Sequence, residues 1–318
     1  MTNRQLLTEL GRNSQLWQPP RGLNKLVERI AVTVFGLFAL VSVLTTFGIV
    51  FVLLGETVNF FGEVSLWRFL TDTRWTPLFT DKQYGIMVLL SATFMTATIA
   101  LLVAVPIGIM GAIYLSEYAN AKVRQWVKPM LEILAGVPTV VFGYFALLFV
   151  TPLLQDLLAP LGIELDGFNS ISAGVVMGFA IVPLVASLSE DALYAVPQRL
   201  RQGAYALGAT KREVVTGVVL PGALSGIVAS MVLAMSRAVG ETMIVTVAAG
   251  QSPTLTLDPT VAVQTMTSFI VQVSLGDAPA GTLAYKTLFA VGTTLFLITL
   301  ALNLFSFWFV RAFREEYE

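Results

Sequence analysis

The chain has 318 residues and a formal net charge of −1, and 56% of its residues are hydrophobic whereas only 12% are charged. Soluble domains carry about 25% charged residues, so this composition indicates an integral membrane protein, and no basic tract is long enough to suggest nucleic-acid binding. Cysteine and histidine are both absent. Disulfides, metal sites built from thiol or imidazole ligands, and histidine-based acid–base catalysis are therefore excluded.

The first predicted element is a membrane span that follows a polar, basic segment, residues 1–29. Residues 30–54 carry no charge and exceed the ~20 residues that cross a bilayer. This run is also too long for the core of a signal peptide, and no small-residue cleavage site follows it. We expect it to remain as a first transmembrane helix with the N-terminus in the cytoplasm.

An outer loop, residues 56–83, comes next and is rich in aromatic side chains: Phe60, Phe61, Trp67, Phe69, Trp75 and Phe79. Tryptophan-rich segments favour the lipid headgroup region, which predicts an interfacial aromatic belt. Residues 69–77 also resemble the outer loop of phosphate importer permeases. Both interpretations stay open at this point.

The second and third spans are predicted within residues 85–115 and at about 129–155, joined by a short basic inner loop. Pro106 removes a backbone hydrogen bond from the second span and should kink it. Glu132 falls at the inner end of the third span. The run 133–144 in that span resembles the corresponding helix of phosphate permeases.

The fourth span, about 171–188, follows an acidic outer loop, and the fifth runs from Pro221 to about residue 249. Gly174 and Gly178 in the fourth span leave room for close helix packing, as does the small-residue start of the fifth. Within residues 260–275 the apolar side chains follow helical spacing over too few residues to span, which predicts an interfacial or re-entrant helix. The last span is about 285–310.

The distribution of basic residues predicts the orientation of these six helices. Fourteen of the 19 lysines and arginines lie in segments predicted to be inside, and three lie in the predicted outer loops. Because basic residues are retained on the cytoplasmic side, both termini, including the tail 312–318, should be cytoplasmic. The protein should therefore lie in the plasma membrane, which is the inner membrane of a bacterium.

The longest polar interruption in the second half of the chain is the stretch 198–226. A helix can run from about Pro197 to Leu207, because proline is tolerated in the first turn. Gly208 can then take the left-handed conformation that ends a helix.

This stretch resembles the permease subunits of ABC importers. Their signature is Glu-Ala-Ala, a glycine six residues after the glutamate, and Ile-x-Leu-Pro ending nineteen residues after it. The matching positions here are Gln202, Gly203, Ala204, Gly208, Val218, Leu220 and Pro221. The resemblance implies that the loop 190–220 carries a coupling helix that docks into a groove on an ATPase subunit. Gln202 departs from the family glutamate, and an ordinary basic loop that only anchors topology is the alternative.

Arg237 and Glu241 are the only charges well inside a predicted span. Each costs roughly 2.5–3.5 kcal/mol at a helix centre, which favours a functional role. Their spacing places them on one face of a helix. A guanidinium can hold an oxyanion with two parallel hydrogen bonds, and Glu241 can either hold Arg237 or accept a hydrogen bond from a protonated phosphate. The alternative is a purely structural ion pair.

The segment 236–242 resembles the same helix of phosphate permeases, in which an arginine and a glutamate are associated with translocation. Over residues 84–311 the chain resembles the C-type permease of the phosphate-specific (Pst) ABC importer. The first helix and its outer loop, residues 30–83, lie outside this common core. The resemblance implies an all-α, six-span, type I importer fold and import of inorganic phosphate by alternating access. It also implies a sister permease, an ATPase dimer and an extracytoplasmic phosphate-binding protein.

The segment 203–210 superficially resembles a phosphate-binding P-loop, but Ala209 stands where that loop needs lysine. We therefore expect no cofactor on this chain and expect ATP with magnesium to bind a partner subunit, so the chain is not itself an enzyme. Within the same class, the substrate could be another oxyanion or a small solute. An ion channel or an intramembrane enzyme is the alternative from another class, without a supporting motif.

Overall fold

The computed structural model describes residues 21–313, which divide into two units between Gly55 and Glu56. Predictions for residues 1–20 and 314–318 lie outside this range. Across the described residues the backbone is helical apart from turns and an isolated bridge between Trp75 and Tyr84. Within residues 21–313, six helical segments are long and apolar enough to cross a membrane, as predicted: Lys25–Phe61, Met87–Tyr118, Thr139–Leu161, Ser170–Ala195, Lys211–Val239 and Leu283–Ala312.

The first unit contains most of helix α1 (Arg21–Phe61). From Lys25 to Gly55 the side chains are exposed or half-buried and none is buried. A helix that is apolar on every side satisfies its own backbone hydrogen bonds and suits a lipid surrounding. The helix is longer than the predicted span 30–54 at both ends.

The core of the second unit is formed by α3 (Met87–Ile113) and α7 (Ser170–Ala195), which cross at close range. Small residues allow this approach. A Cβ at Gly174 would lie 2.7 Å from the Cβ of Ile99, and one at Gly178 would lie 2.7 Å from a backbone oxygen of α3. The close packing predicted for these two glycines is therefore confirmed.

The third span begins later than predicted. Residues 121–135 form a separate helix, α4 (Ala121–Ala135), in which no side chain is buried. The chain then breaks at Gly136, and Pro138, which lacks a backbone N–H, begins the span proper. The span comprises α5 (Thr139–Phe145), a π-helical turn and α6 (Thr151–Leu158). The predictions of an inner loop up to residue 128 and of a span starting at Pro129 are wrong, because Pro129 lies inside α4.

The fifth span begins earlier and ends earlier than predicted. After the short helix α8 (Gln198–Ala206), α9 (Lys211–Val214) continues through a π-helical turn into α10 (Leu220–Val239). Pro221 therefore lies inside this continuous helix, directly after the π-helical turn, and does not start the span. Proline donates no backbone hydrogen bond, and the changed hydrogen-bond pattern of a π-helical turn can accommodate this. The chain leaves the helix at Gly240 and forms α11 (Met243–Ala248) after a break.

At one end of the second unit, five rings form a buried aromatic cluster: Phe60, Phe69, Trp75, Tyr84 and Phe269. They come from the end of α1, from α2 (Leu66–Thr71), from the loop that follows it and from α12 (Met266–Gln272). Their rings meet edge to face, and the Trp75 and Phe269 centroids lie 4.9 Å apart. Half of the predicted aromatic belt, Phe60, Phe69 and Trp75, is therefore part of a small core, Phe61 is half-buried, and Trp67 and Phe79 are exposed.

The last two helices agree with the sequence. The helix predicted within residues 260–275 is α12, and it is too short to span. Met266, Phe269 and Val273, which follow the predicted apolar spacing, are each at most 1% exposed. The final span is α13 (Leu283–Phe313).

Candidate functional site

Helix α8 and the glycine after it have the predicted local structure. The helix runs from Gln198 to Ala206 with Pro197 at its N-cap, and Gly208 has a φ of +84°. That φ lies in the left-handed region, which glycine adopts without the steric cost of a Cβ. Thr210 and Glu213 then form a reciprocal capping box that begins α9.

The outer face of α8 is open to a partner. Gln202, Gly203 and Tyr205 are exposed, and Leu207 is 91% exposed. Nothing lies within 4 Å of the position that a Cβ on Gly203 would take. The small size of Gly203 is therefore not needed for packing inside this chain, and it leaves space for another surface to approach.

The inner face of α8 is attached to the ends of two spans. Arg201 is only 7% exposed. Its guanidinium forms an ion pair with Glu117, in the π-helical turn Tyr114–Tyr118 that ends the second span, and donates to the carbonyl of Leu193 in α7 at 2.6 Å. Ala204, one turn further along α8, packs against a neighbouring aliphatic cluster.

Sequence reasoning counted Arg201 only among the fourteen basic residues that mark the inner side. Its spacing of three residues from Ala204 could have placed the two side chains on one helical face. Nothing in the sequence, however, indicated that Glu117 would be its partner. The predicted Leu220 and Pro221 lie in the following helix and not at α8.

Arg237 lies in the last turn of α10. A cation there is favourably placed, since the last carbonyls of a helix carry partial negative charge. Its side chain lines a cavity of about 210 Å³ together with Pro183, Leu184 and Ser187 of α7. Lys128 and Glu132 of α4 line the same cavity.

Glu241 is not on the same helix as Arg237, so the prediction of a pair on one helical face is wrong. Gly240 interrupts the helix, and Glu241 lies in the break before α11. Its carboxylate accepts hydrogen bonds from the backbone N–H groups of Met243 and Ile244, at 3.2 and 3.4 Å. No ion pair joins it to Arg237 within residues 21–313. Thr242 and Thr246 donate their hydroxyl groups to nearby backbone carbonyls.

Glu190 also lines the cavity that Arg237 lines, and sequence reasoning missed it. It is 1% exposed and forms ion pairs with Arg124 at 2.6 Å and with Lys128 at 3.4 Å. A second cavity, of about 440 Å³, lies beside α4 and shares Lys128 and Glu132 with the first. The sequence placed Glu190 in a cytoplasmic loop, but α7 continues to Ala195 and carries this residue into the bundle.

Comparison with known proteins identifies the relatives of this chain. Residues 104–316 match the family described as binding-protein-dependent transport system inner membrane component. The phosphate transport system permease protein PstC of Haemophilus influenzae is 34% identical over 259 residues, which cover 77% of this chain and 79% of that protein. The probable ABC transporter permease protein YqgH of Bacillus subtilis is 30% identical over 236 residues, covering 74% of this chain and 75% of that protein.

A solved structure shares the fold. A chain of a bacterial alginate ABC transporter, solved in complex with a periplasmic protein bound to an alginate pentasaccharide, superimposes with a TM-score of 0.57. The alignment covers 91% of this chain and 98% of that chain at 15% sequence identity. At this identity the likeness concerns the fold alone.

Proposed function

We propose that this chain is the permease subunit that carries inorganic phosphate into the cell. The chain belongs to the family of binding-protein-dependent transport system inner membrane components and has the all-α fold of type I ABC importer permeases. The observation that carries the proposal is the match to relatives named as phosphate transport permeases over about three quarters of both chains. Those relatives extend over the region that holds α8 and Arg237.

The chemistry around Arg237 supports an oxyanion as the substrate. A guanidinium stays charged in a dry site and offers parallel N–H donors to two oxygens of a tetrahedral anion. Ser187 adds a hydroxyl donor to the wall of the same cavity. Lys128 is paired there with Glu190, which leaves Arg237 as the lining cation without an ion pair within residues 21–313. A cavity of about 210 Å³ exceeds the space that several water molecules need, so an anion with part of its hydration shell fits.

The energy for transport comes, in this proposal, from ATP bound to a partner. The exposed side chains of Tyr205 on α8 and of Leu207 at its C-cap are suited to a groove on an ATPase subunit, and a short helix in a groove is a common mode of recognition. We therefore call α8 the coupling helix. A dimer of ATPases would move it, and a sister permease would complete the pathway at the exposed Arg237.

An extracytoplasmic phosphate-binding protein would deliver the substrate to the end that bears the aromatic cluster. This arrangement puts the coupling helix and both termini in the cytoplasm, in a bacterial inner membrane. Alternating access then requires the spans to tilt between an inward-open and an outward-open state.

The orientation can be tested by labelling, because the chain contains no cysteine. Tyr205→Cys and Asp258→Cys introduce single thiols at the two ends of the bundle. We expect an impermeant thiol reagent to label position 258 in intact cells and position 205 only after the membrane is opened. Labelling of position 205 from outside would contradict the proposed orientation.

The substrate is tested by ATP-dependent uptake of radiolabelled phosphate by the complex reconstituted in vesicles. Loss of charge-assisted hydrogen bonds costs about 1.5–3 kcal/mol each. Arg237→Gln should therefore reduce uptake to about a hundredth of wild type at unchanged membrane abundance, and Arg237→Lys should retain part of it. Arg68→Gln, which removes an exposed arginine of α2, is the matched control.

Two outcomes would contradict this proposal. Uptake that sulfate or another oxyanion inhibits better than phosphate does would assign the permease to that anion. Recovery of uptake in the double variant Arg237→Gln, Glu241→Gln would indicate that the two charges serve only as a structural ion pair. We expect no recovery, because Glu241 caps α11 and does not pair with Arg237.

A further inference from the structure

We propose that Arg201 is a positioning residue, which fixes the coupling helix to the two core spans through Glu117 and Leu193 and so transmits ATPase movement to them. This inference rests on the proposed function, because it assigns a residue to the coupling step of that importer. It concerns the inner face of the coupling helix, which faces away from the surface proposed to dock on the ATPase.

Both side chains of the ion pair between Arg201 and Glu117 are largely buried. The exposed fractions of the two side chains are 9% and 7%. One terminal nitrogen of the guanidinium contacts the Glu117 carboxylate, and the other donates to the Leu193 carbonyl at 2.6 Å. Ser116 also donates its hydroxyl to the Glu117 carboxylate at 3.1 Å. Each charge therefore has a directional partner despite its burial.

The partners of Arg201 lie at the ends of the two helices that form the core. Glu117 belongs to the π-helical turn that ends the second span, and Leu193 is in the last turn of α7. Arginine presents its donors in a rigid planar fork, so two contacts in different directions fix the orientation of the side chain. The coupling helix is thereby oriented against α3 and α7 at the same time.

The other basic residues of this segment are placed differently. Arg199 and Arg212 are exposed, and the Lys211 ammonium lies over the ring of Tyr118 at 4.7 Å. Only Arg201 reaches between the spans. A residue that served merely to retain the loop in the cytoplasm would gain nothing from burial, since burying a charge is costly.

The aliphatic contacts beneath the coupling helix have a different role. Ala204 packs on a cluster that includes Val196 and Val214. Such contacts are non-directional, so they hold the helix against the spans without fixing its angle. The ion pair supplies the direction, and we infer from this division that its loss leaves ATP hydrolysis running without proportionate movement of the spans.

A pair of apolar substitutions separates position from stability. Arg201→Met alone leaves Glu117 buried without its partner and is expected to reduce assembly, because a broken buried pair is strongly destabilising. Arg201→Met combined with Glu117→Leu removes both charges, and such replacements are often neutral or stabilising. The double variant should therefore assemble normally.

The measurement is the number of ATP molecules hydrolysed per phosphate taken up by the reconstituted complex. We expect this ratio to rise at least about tenfold in the double variant and to stay unchanged in the control Arg68→Met, which changes an exposed arginine far from the coupling helix. Arg201→Lys, which keeps the charge but loses the fork, should give an intermediate ratio. A wild-type ratio in an assembled double variant would overturn the proposal.

A second readout does not depend on the substrate. With Arg199→Cys as the only thiol, at an exposed position of the coupling helix outside the proposed docking residues, a spin label reports the mobility of that helix in the membrane-embedded assembly. We expect a more mobile label in the double variant than in the control, and equal mobility would overturn the positioning role. If the wild-type complex fails to take up phosphate while this difference in mobility is observed, the proposed substrate fails and the positioning role of Arg201 stands.

Discussion

The aromatic end of the second unit and its coupling end are held together differently. At the aromatic end, the rings of Phe60, Phe69 and Trp75 pack edge to face, with centroids 5.8 Å apart for Phe60 and Phe69 and 6.2 Å apart for Phe69 and Trp75. At the coupling end, an aliphatic cluster packs against Ala204 of the coupling helix, and Arg201 of the same helix forms a buried ion pair with Glu117. Close aromatic packing resists deformation. Aliphatic contacts and directional polar bonds instead hold the coupling helix, which moves as a body in the proposed mechanism.

This difference indicates that substitutions at the two ends should fail in different ways. Damage to the aromatic cluster should lower the free energy of unfolding. Damage to the outer face of the coupling helix should leave folding intact and impair association with the ATPase or the use of ATP. The following predictions test that division from the largest expected effect to the smallest.

Removal of a ring from the aromatic cluster should have the largest effect. Trp75 is 1% exposed and lies against Phe69 and Phe269. Large aromatic truncations in a core cost about 3–5 kcal/mol, so Trp75→Ala should lower the thermal midpoint of the purified protein by many degrees. Trp67→Ala, at a tryptophan that is 73% exposed, serves as the control and should leave the midpoint nearly unchanged. Equal thermal midpoints in the two variants would show that the aromatic cluster does not contribute specially to the stability of the fold.

A substitution on the outer face of the coupling helix should affect binding alone. Leu207 is 91% exposed, so Leu207→Ser should leave the thermal midpoint unchanged. Burial of a leucine side chain contributes about 1.5–3 kcal/mol, and the dissociation constant of the permease and ATPase should rise about tenfold or more. The control is Leu257→Ser, at a leucine that is 84% exposed near the opposite end. A larger loss of ATPase binding in the control would exclude the coupling helix as the docking surface.

Backbone strain after the coupling helix should have a smaller effect. Gly208 has a φ of +84° and open space around it, so Gly208→Val is opposed by backbone conformation and not by a clash. A left-handed residue other than glycine costs roughly 1–2 kcal/mol. We expect a folded, inserted protein with reduced ATPase stimulation, measured as hydrolysis in the assembled complex. The control is Gly167→Val, at a glycine outside the coupling segment that also has open space and lacks a positive φ. The same loss of ATPase stimulation in both variants would argue against backbone strain at Gly208 as the cause.

The smallest effect should be a pH dependence at the aromatic end. Hydrogen bonds from the Thr260 side chain and then from its backbone lower the pKa of Asp258 below its ordinary value of 3.8. Since folding lowers this pKa, the charged carboxylate stabilises the loop above pH 3.8, and this stabilisation is lost as pH falls through the folded-state pKa. Asp258→Asn should reduce hydrogen-exchange protection of the Thr260 amide at pH 7. In this variant the protection should no longer fall when the pH is lowered through the range in which Asp258 is protonated. Unchanged protection at pH 7 would contradict this role.

The sequence predicted those features that depend on local signals. Charge-free apolar runs gave the number of spans, and the glycine after residue 207 gave the left-handed end of the coupling helix. The close approach at Gly174 and Gly178 followed from residue size. Each of these conclusions needs only residues that are near one another in the chain.

Features that depend on the path of the chain could not be predicted. Pro129 and Pro221 were interpreted as the starts of spans, yet one lies inside α4 and the other follows a π-helical turn. A π-helical turn has no clear sequence signature, so it cannot be distinguished from a helix boundary. Glu190 and Arg201 carry charges, which predicts exposure, and only tertiary packing buries them beside their partners. The functional assignment of Arg237 stays a prediction, because its role depends on a substrate.

The uninterrupted course of the chain from Lys211 to Val239 has a mechanical consequence. At a rise of 1.5 Å per residue, about 39 Å of helix separates Lys211, three residues after Gly208, from Arg237. A helix of fixed length acts as a lever, so displacement of its lower end must reappear at the arginine as translation or tilt. In the proposed transport cycle, the π-helical turn Val215–Val219, close to the end that the ATPase would move, would serve as the pivot. Because most of the lever lies beyond that pivot, a small rotation at the ATPase end would sweep Arg237 through a larger arc.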